Sequence, residues 1–246
     1  MSALVAEAVS KNFGGVQALS NVSFAVEQGE RHLIIGPNGA GKTTMFNMLS
    51  GAFPVSSGRV TLFGQDITNI PANARARLGL ARTFQITNLF PRLTATENIV
   101  LALQAQSKSA FSMFSRMRGD KDLFARAGAL LDEWGLSEIA DKAAREISYG
   151  QQRQVDLILA MASNPKVLLL DEPMAGLSAA EVVRAVGMVH SLPKDMTVLM
   201  IEHDMDVAFD LADRITVMHQ GGVIAEGTTD EIRNHPKVTE IYLGAD

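Results

Sequence analysis

Eight consecutive residues carry the clearest chemistry in this chain. Gly36, Pro37, Asn38, Gly39, Ala40, Gly41, Lys42 and Thr43 fit the pattern G-x-x-x-x-G-K-[ST]. Glycines at these positions let the backbone curl so that several N–H groups face one anion. A helix starting at Lys42 adds its positive end. The lysine can then reach the terminal phosphates of a nucleotide, and the Thr43 hydroxyl can ligate Mg²⁺, which keeps most of its waters. A chain of this length would match the pattern by chance on the order of one time in a hundred, from average residue frequencies.

A second constellation lies far along the chain. Val167, Leu168, Leu169 and Leu170 run into Asp171, Glu172 and Pro173. An apolar run of this kind reads as a strand buried on both faces. At its carboxyl end Asp171 would lie beside the phosphate loop and hold Mg²⁺ or a metal-bound water. Glu172 could then take a proton from an attacking water. Acids after a strand are also ordinary solvated loop residues; the phosphate loop decides for the chemical reading.

The elements that position these residues follow from pattern. The chain has 246 residues, 47% of them apolar and 20% charged, which suits a globular α/β protein with a sizeable core. Its 22 basic and 27 acidic residues leave a formal charge of -5, so no overall nucleic-acid footprint is expected. With no cysteine, disulfides and thiolate metal sites are excluded. Residues Met1 to Val9 include Glu7 and no basic stretch, unlike a secretory signal. No apolar run reaches the roughly 20 residues that span a bilayer.

Leu4 to Val9, Ala18 to Val26, Arg31 to Ile35 and Arg59 to Phe63 read as strands, with a turn at Gln28 and Gly29 and a helix from Lys42 to about Ser50. From about Asn88 to Ala160 helical spacing takes over, at Ala95 to Gln106, Leu123 to Trp134 and Gln151 to Ala162. Strands then resume at Val167 to Leu170, Thr197 to Ile201 and Arg214 to His219, separated by helical stretches Ala179 to Ser191 and Met205 to Ala212. That βαβαβ order predicts parallel pairing.

Between the two constellations stands Ile147-Ser148-Tyr149-Gly150-Gln151-Gln152-Arg153. It resembles the signature motif of ATP-binding cassette (ABC) ATPases, and further family motifs follow in order. Gln85, within Arg82-Thr83-Phe84-Gln85, is similar to the Q-loop glutamine; Ala175-Gly176-Leu177-Ser178 matches the D-loop; His203, in Ile201-Glu202-His203-Asp204, resembles the switch histidine. Phe13 falls where the family places an adenine-stacking aromatic, although a plain core or turn aromatic would look the same. The match runs from about Leu4 to Gly227.

The resemblance implies a P-loop NTPase core of the ABC ATPase type, with an N-terminal antiparallel β region and an inserted helical subdomain. On that plan residues 1–87 and 161–246 form the core and 88–160 the helical subdomain, all within a single ABC ATPase domain. It implies that ATP is held by Phe13, by Gly36 through Thr43 and by Thr44, and Mg²⁺ by Thr43, Asp171 and Gln85. Glu172, His203 and Gln85 would serve hydrolysis. Ser148, Tyr149, Gly150 and Gln151 would meet the ATP of a second cassette, since two such chains pair head to tail with ATP between them. Two positions depart from the family pattern: Ile147 replaces the usual Leu, a volume-conserving change, and Ser178 stands where the D-loop commonly ends in Asp.

The stretch Arg82 to Pro91, Glu202-His203-Asp204-Met205 and the ending Ile241-Tyr242-Leu243-Gly244 resemble ATPase subunits of branched-chain amino-acid uptake systems. Ser107 to Asp122, with Phe111, Phe114, Arg116 and Arg118, corresponds to a longer helical insert; a solvated loop is an equally good reading of it. The implied partners are a second ABC ATPase chain, same or related, two membrane permeases and, indirectly, a solute-binding protein, with no nucleic acid. The implied location is peripheral, on the cytoplasmic face of the inner or plasma membrane. Rival readings are an export-type ATPase like that of lipopolysaccharide export, a soluble ABC ATPase and a non-catalytic nucleotide sensor.

Overall fold

A computed structural model describes residues 1–83, 89–105 and 120–243. The chain divides into two units, Met1–Arg82 with Lys166–Pro173 and Val189–Asp246, and Thr83–Pro165 with Met174–Met188.

The first unit holds two sheets. Strands β1 (Ser2–Phe13) and β2 (Val16–Glu27) pair antiparallel, and β4 (Ser57–Leu62) and β5 (Gln65–Asp66) extend that sheet in the order β2-β1-β4-β5. Both long strands exceed the sequence-based bounds. Leu4 and Ala6, and Val22, Phe24 and Val26, alternate into the core, and an irregularity after Ala6 resets β1 so that Val9 is buried as well.

The second sheet is ordered β10-β9-β3-β8-β7-β6, from β3 (Arg31–Ile35), β6 (Leu80–Arg82), β7 (Val167–Asp171), β8 (Thr197–Ile201), β9 (Arg214–His219) and β10 (Gly222–Thr228). All neighbours pair parallel except β9 with β10. Every residue of β7 and β8 is buried, as expected for central parallel strands covered on both faces. The predicted succession β7, β8, β9 is present, but β3 lies between β8 and β9. The short edge strand β6 and the strand β10 escaped sequence reading because neither carries a long apolar run.

Helix α1 (Lys42–Leu49) follows β3 and buries Met45, Phe46, Met48 and Leu49. Arg75, in α2 (Ala72–Arg77), is buried and ties down the end of α1: its Nη1 donates to the Met48 and Leu49 carbonyls at 2.7 Å each. The Met48 carbonyl also accepts from Gly51 N at 3.1 Å, so the cation adds to the capping of this helix end.

The second unit carries α3 (Ala95–Ala105), α4 (Lys121–Glu133) and α5 (Tyr149–Met161), and α6 (Ala179–His190) begins in it. Ile99, Val100, Ala127, Leu131, Val155 and Ile158 form its apolar interior. In the first unit α7 (Met205–Leu211), α8 (Thr229–Arg233) and α9 (Pro236–Leu243) complete the chain. Among the described residues no helix is long and apolar enough to cross a membrane. Gln85 and most of the insert 107–122 lie outside the described residues; of the insert, Asp120 caps α4, which Lys121 opens.

Candidate nucleotide site and signature loop

In the first unit the parallel register brings three strand ends to one edge. Ile34 of β3 pairs with Ile201 of β8, and Ile201 pairs with Asp171 of β7. The residues that follow are Gly36, Glu202 with His203, and Glu172. Ligands of open α/β sheets bind at this carboxyl edge.

Gly36 through Gly41 form the loop between β3 and α1. Gly36 has φ 154° and a side chain there would run into the Met218 carbonyl; Gly41 has φ 98° and a Cβ would lie 2.5 Å from Leu19. Both positions therefore require glycine. Asn38 and Gly39 are exposed, Pro37 is half-buried and Ala40 is buried. Lys42 is 6% exposed, and its Nζ donates to the Gly36 carbonyl at 2.6 Å and the Pro37 carbonyl at 3.1 Å. Burial lowers its pKa, opposed by the charges of Glu172 and Asp171. Thr43 is exposed, with Thr44 beside it half-buried.

Asp171 is 1% exposed. Its Oδ2 accepts from Arg82 Nη2 at 2.7 Å, in a buried ion pair. Arg82 Nη1 also donates to Asn47 Oδ1 at 2.7 Å and Ser50 Oγ at 2.9 Å, and the guanidinium lies 5.8 Å from the centre of the Phe46 ring. One side chain on β6 thus joins the carboxylate of β7 to the far end of α1. Sequence reasoning treated Arg82 only as motif context.

Glu172 has φ 48°, a conformation costly for a residue with a Cβ. Its N–H donates to the Ile201 carbonyl at 3.0 Å, which fixes the bend as the chain leaves the sheet. Glu172→Gly is expected to raise stability by about 1 kcal/mol through release of that strain, read as about 2–4 °C in a thermal melt. It should abolish ATP turnover in the same preparation.

His203 is 58% exposed by its side chain, with Nδ1 3.9 Å from Glu202 Oε2, while Glu202 is fully buried. Phe13 ends β1 at 44% exposure. Its ring meets Phe53 edge-on at 5.7 Å, and Lys11 Nζ stands 5.0 Å over it. Phe53 and Lys11 were absent from the sequence reading of this aromatic.

In the second unit Ser148 caps α5. Its Oγ accepts from Gln151 N at 3.2 Å, and Gln151 Oε1 returns an acceptor to Ser148 N at 3.0 Å. This is a capping box. The helix therefore starts at Tyr149, not near Gln151 as the spacing suggested, and Gly150 lies in its first turn. Tyr149 is 43% exposed and packs against Gly176, while Arg153 lies 5.4 Å from its ring centre. Ser178, the D-loop departure, bonds to Glu181: its N–H and Oγ approach Glu181 Oε2 at 3.0 and 2.8 Å.

The chain is similar to known proteins along most of its length. The family model for ABC transporters matches residues 19–175, and that for branched-chain amino acid ATP-binding cassette transporters matches residues 223–246. The chain is 37% identical over 243 residues to the high-affinity branched-chain amino acid transport ATP-binding protein BraF of Pseudomonas aeruginosa, covering 96% of this chain and 95% of that relative. It is 38% identical over 241 residues to the corresponding LivG protein of Escherichia coli, covering 94% of each. Among solved structures, an ATP-binding cassette of an ABC transporter in its ADP conformation superposes with a TM-score of 0.88 at 34% identity, over 99% of both chains. A dimeric bacterial ABC transporter cassette superposes with a TM-score of 0.80 at 27% identity, over 92% of this chain and 98% of that one.

Proposed function

The chain belongs to the ABC transporter ATP-binding family, and on that premise we propose that it is the ATP-hydrolysing subunit of an importer for branched-chain amino acids or a related small amide. It acts at the cytoplasmic face of the membrane as one of two cassettes on a pair of permeases, which a solute-binding protein supplies. The observation that carries the reading is the parallel register that brings the carboxyl ends of β3, β7 and β8 to one sheet edge, with the glycine loop and Lys42 following β3 and Glu172 following β7.

The residues fit a magnesium nucleotide. Glycines at Gly36 and Gly41 keep the loop open to phosphate oxygens, and the Lys42 ammonium is already turned inward on the Gly36 carbonyl. One hydroxyl after the glycine loop and one buried carboxylate at the end of β7 suit Mg²⁺, which rests on few protein oxygens plus phosphate and water. Thr43 and Asp171, with Gln85, would hold it. When bound, Mg²⁺ neutralises charge on the phosphates.

Lys42 and the loop N–H groups then orient the terminal phosphate. Glu172 takes the proton of the attacking water, and exposed His203 reaches toward the same edge from β8. Phe13 offers a ring to the adenine. Ser148 and the N-terminal end of α5 serve the ATP of the second cassette. Closure of two cassettes around ATP and reopening after hydrolysis is a switch of differential affinity.

The test is uptake of radiolabelled leucine, isoleucine and valine by cells lacking the chain. Restored expression of the wild-type chain should recover uptake. Lys42→Ala should not, and its affinity for ATP should fall at least about tenfold with loss of the charge-assisted phosphate contact. Full uptake with Lys42→Ala would overturn the proposal.

A further inference from the structure

Ser148 and Glu181 are 33 residues apart in sequence, yet they touch within the second unit. Ser148 Oγ donates to Glu181 Oε1 at 3.3 Å while it accepts from Gln151 N. The other carboxylate oxygen accepts from Ser178 N and Oγ. One carboxylate therefore ties the start of α6 to the cap of α5. Gly150 makes room for it, since a Cβ there would run into Glu181 Oε1. The two Ser178 bonds, with help from Ser148 and the Arg184 charge, outweigh burial and hold this carboxyl below the usual glutamate range.

A hydroxyl has one proton to donate. In the proposed function, on which this inference rests, Ser148 donates that hydrogen bond to the γ-phosphate of the second cassette's ATP. The phosphate and the Glu181 carboxylate then compete for one donor and one positive helix end. We infer that Glu181 is a positioning residue that holds the signature serine in the unpaired chain and must release it when the two cassettes close on ATP. It sets a threshold against closure and passes movement of Ser178 directly to the signature loop.

The test uses the full chain carrying Glu172→Gln, so that ATP persists, and measures its ATP-dependent dimerisation constant by sedimentation. Adding Glu181→Gln keeps the side-chain length and the capping bond to Ser178 N but removes the charge. Dimerisation should tighten about two- to fivefold, as for loss of an exposed like-charge contact, and the gain should shrink at high salt. Glu181→Ala removes the cap as well and should lower the melting temperature, whereas Glu181→Gln, which loses only the charge, should lower it less. Equal or weaker dimerisation with Glu181→Gln would overturn the inference. So would a melting temperature lowered as much by Gln as by Ala, since Glu181 would then be a helix cap only. Absence of any ATP-dependent dimer with Glu181 intact would instead overturn the functional reading beneath it.

Discussion

Arg82→Met is expected to cost about 3–5 kcal/mol of stability, the range for removing one partner of a buried ion pair. The pair is well placed for so large an effect. Its side chains are 7% and 2% exposed, and the separation is 2.7 Å. Methionine fills a similar volume but leaves Asp171 without its nearest cation in a sheet interior. Asn47 Oδ1 and Ser50 Oγ lose a donor at the same time. For a chain of this size the loss should appear as a fall of about 6–20 °C in the calorimetric melt. Adding Asp171→Leu should restore part of that stability, because the buried carboxylate left without Arg82 is then gone, while ATP turnover stays lost. Arg82→Lys should fall between, since a point charge cannot serve Asp171, Asn47 and Ser50 together as a planar fork does. A melt unchanged by Arg82→Met would show that the ion pair does not hold the strand end.

Glu172→Gln is expected to lower kcat by about 10²- to 10⁴-fold, the usual share of a general base, with ATP affinity unchanged. The amide has the carboxylate's shape and can keep the same backbone bend and the N–H bond to Ile201. It cannot take a proton. ATP should therefore persist, and the chain should accumulate as an ATP-bound dimer that sediments at twice the monomer mass. Wild-type turnover in this variant would remove Glu172 from the chemistry. The contrast with Glu172→Gly separates strain from chemistry: both should be inactive, but only glycine should gain stability.

The phosphate loop and the strand before Asp171 were legible because local rules fix both. A glycine-rich turn after an apolar run, then a helix, leaves few other conformations, and β7 is buried throughout as its composition requires. Chain order also pointed to parallel pairing, but not to the insertion of β3 between β8 and β9, since spatial neighbours are not sequence neighbours there. The start of α5 was misplaced by two residues, although Ser148 and Gln151 form a readable S-x-x-Q box. Ser178 and Glu181 carry the same signal, S-x-x-E, and it would have flagged Glu181 as a cap. Its second contact, to Ser148, depends on tertiary packing and leaves no local trace. Arg82 is similar: a lone cation on a three-residue edge strand, meaningful only once β6 pairs with β7 in the register Arg82 to Leu169.

Phe13 shows the opposite limit. Its position at the end of β1 was foreseeable, but its partners Phe53 and Lys11 come from residues 40 positions away and two positions before it. An aromatic ring needs only one open face to stack on a base, so residue type alone could not distinguish an adenine platform from a turn aromatic.

The importer reading is tested most directly by purifying the tagged full chain from its native membranes in mild detergent and identifying what comes with it by mass spectrometry. Two multi-spanning permease chains, with or without a second cassette, are expected to copurify. Recovery of soluble partners alone would contradict the reading and leave an ABC ATPase that works away from the membrane.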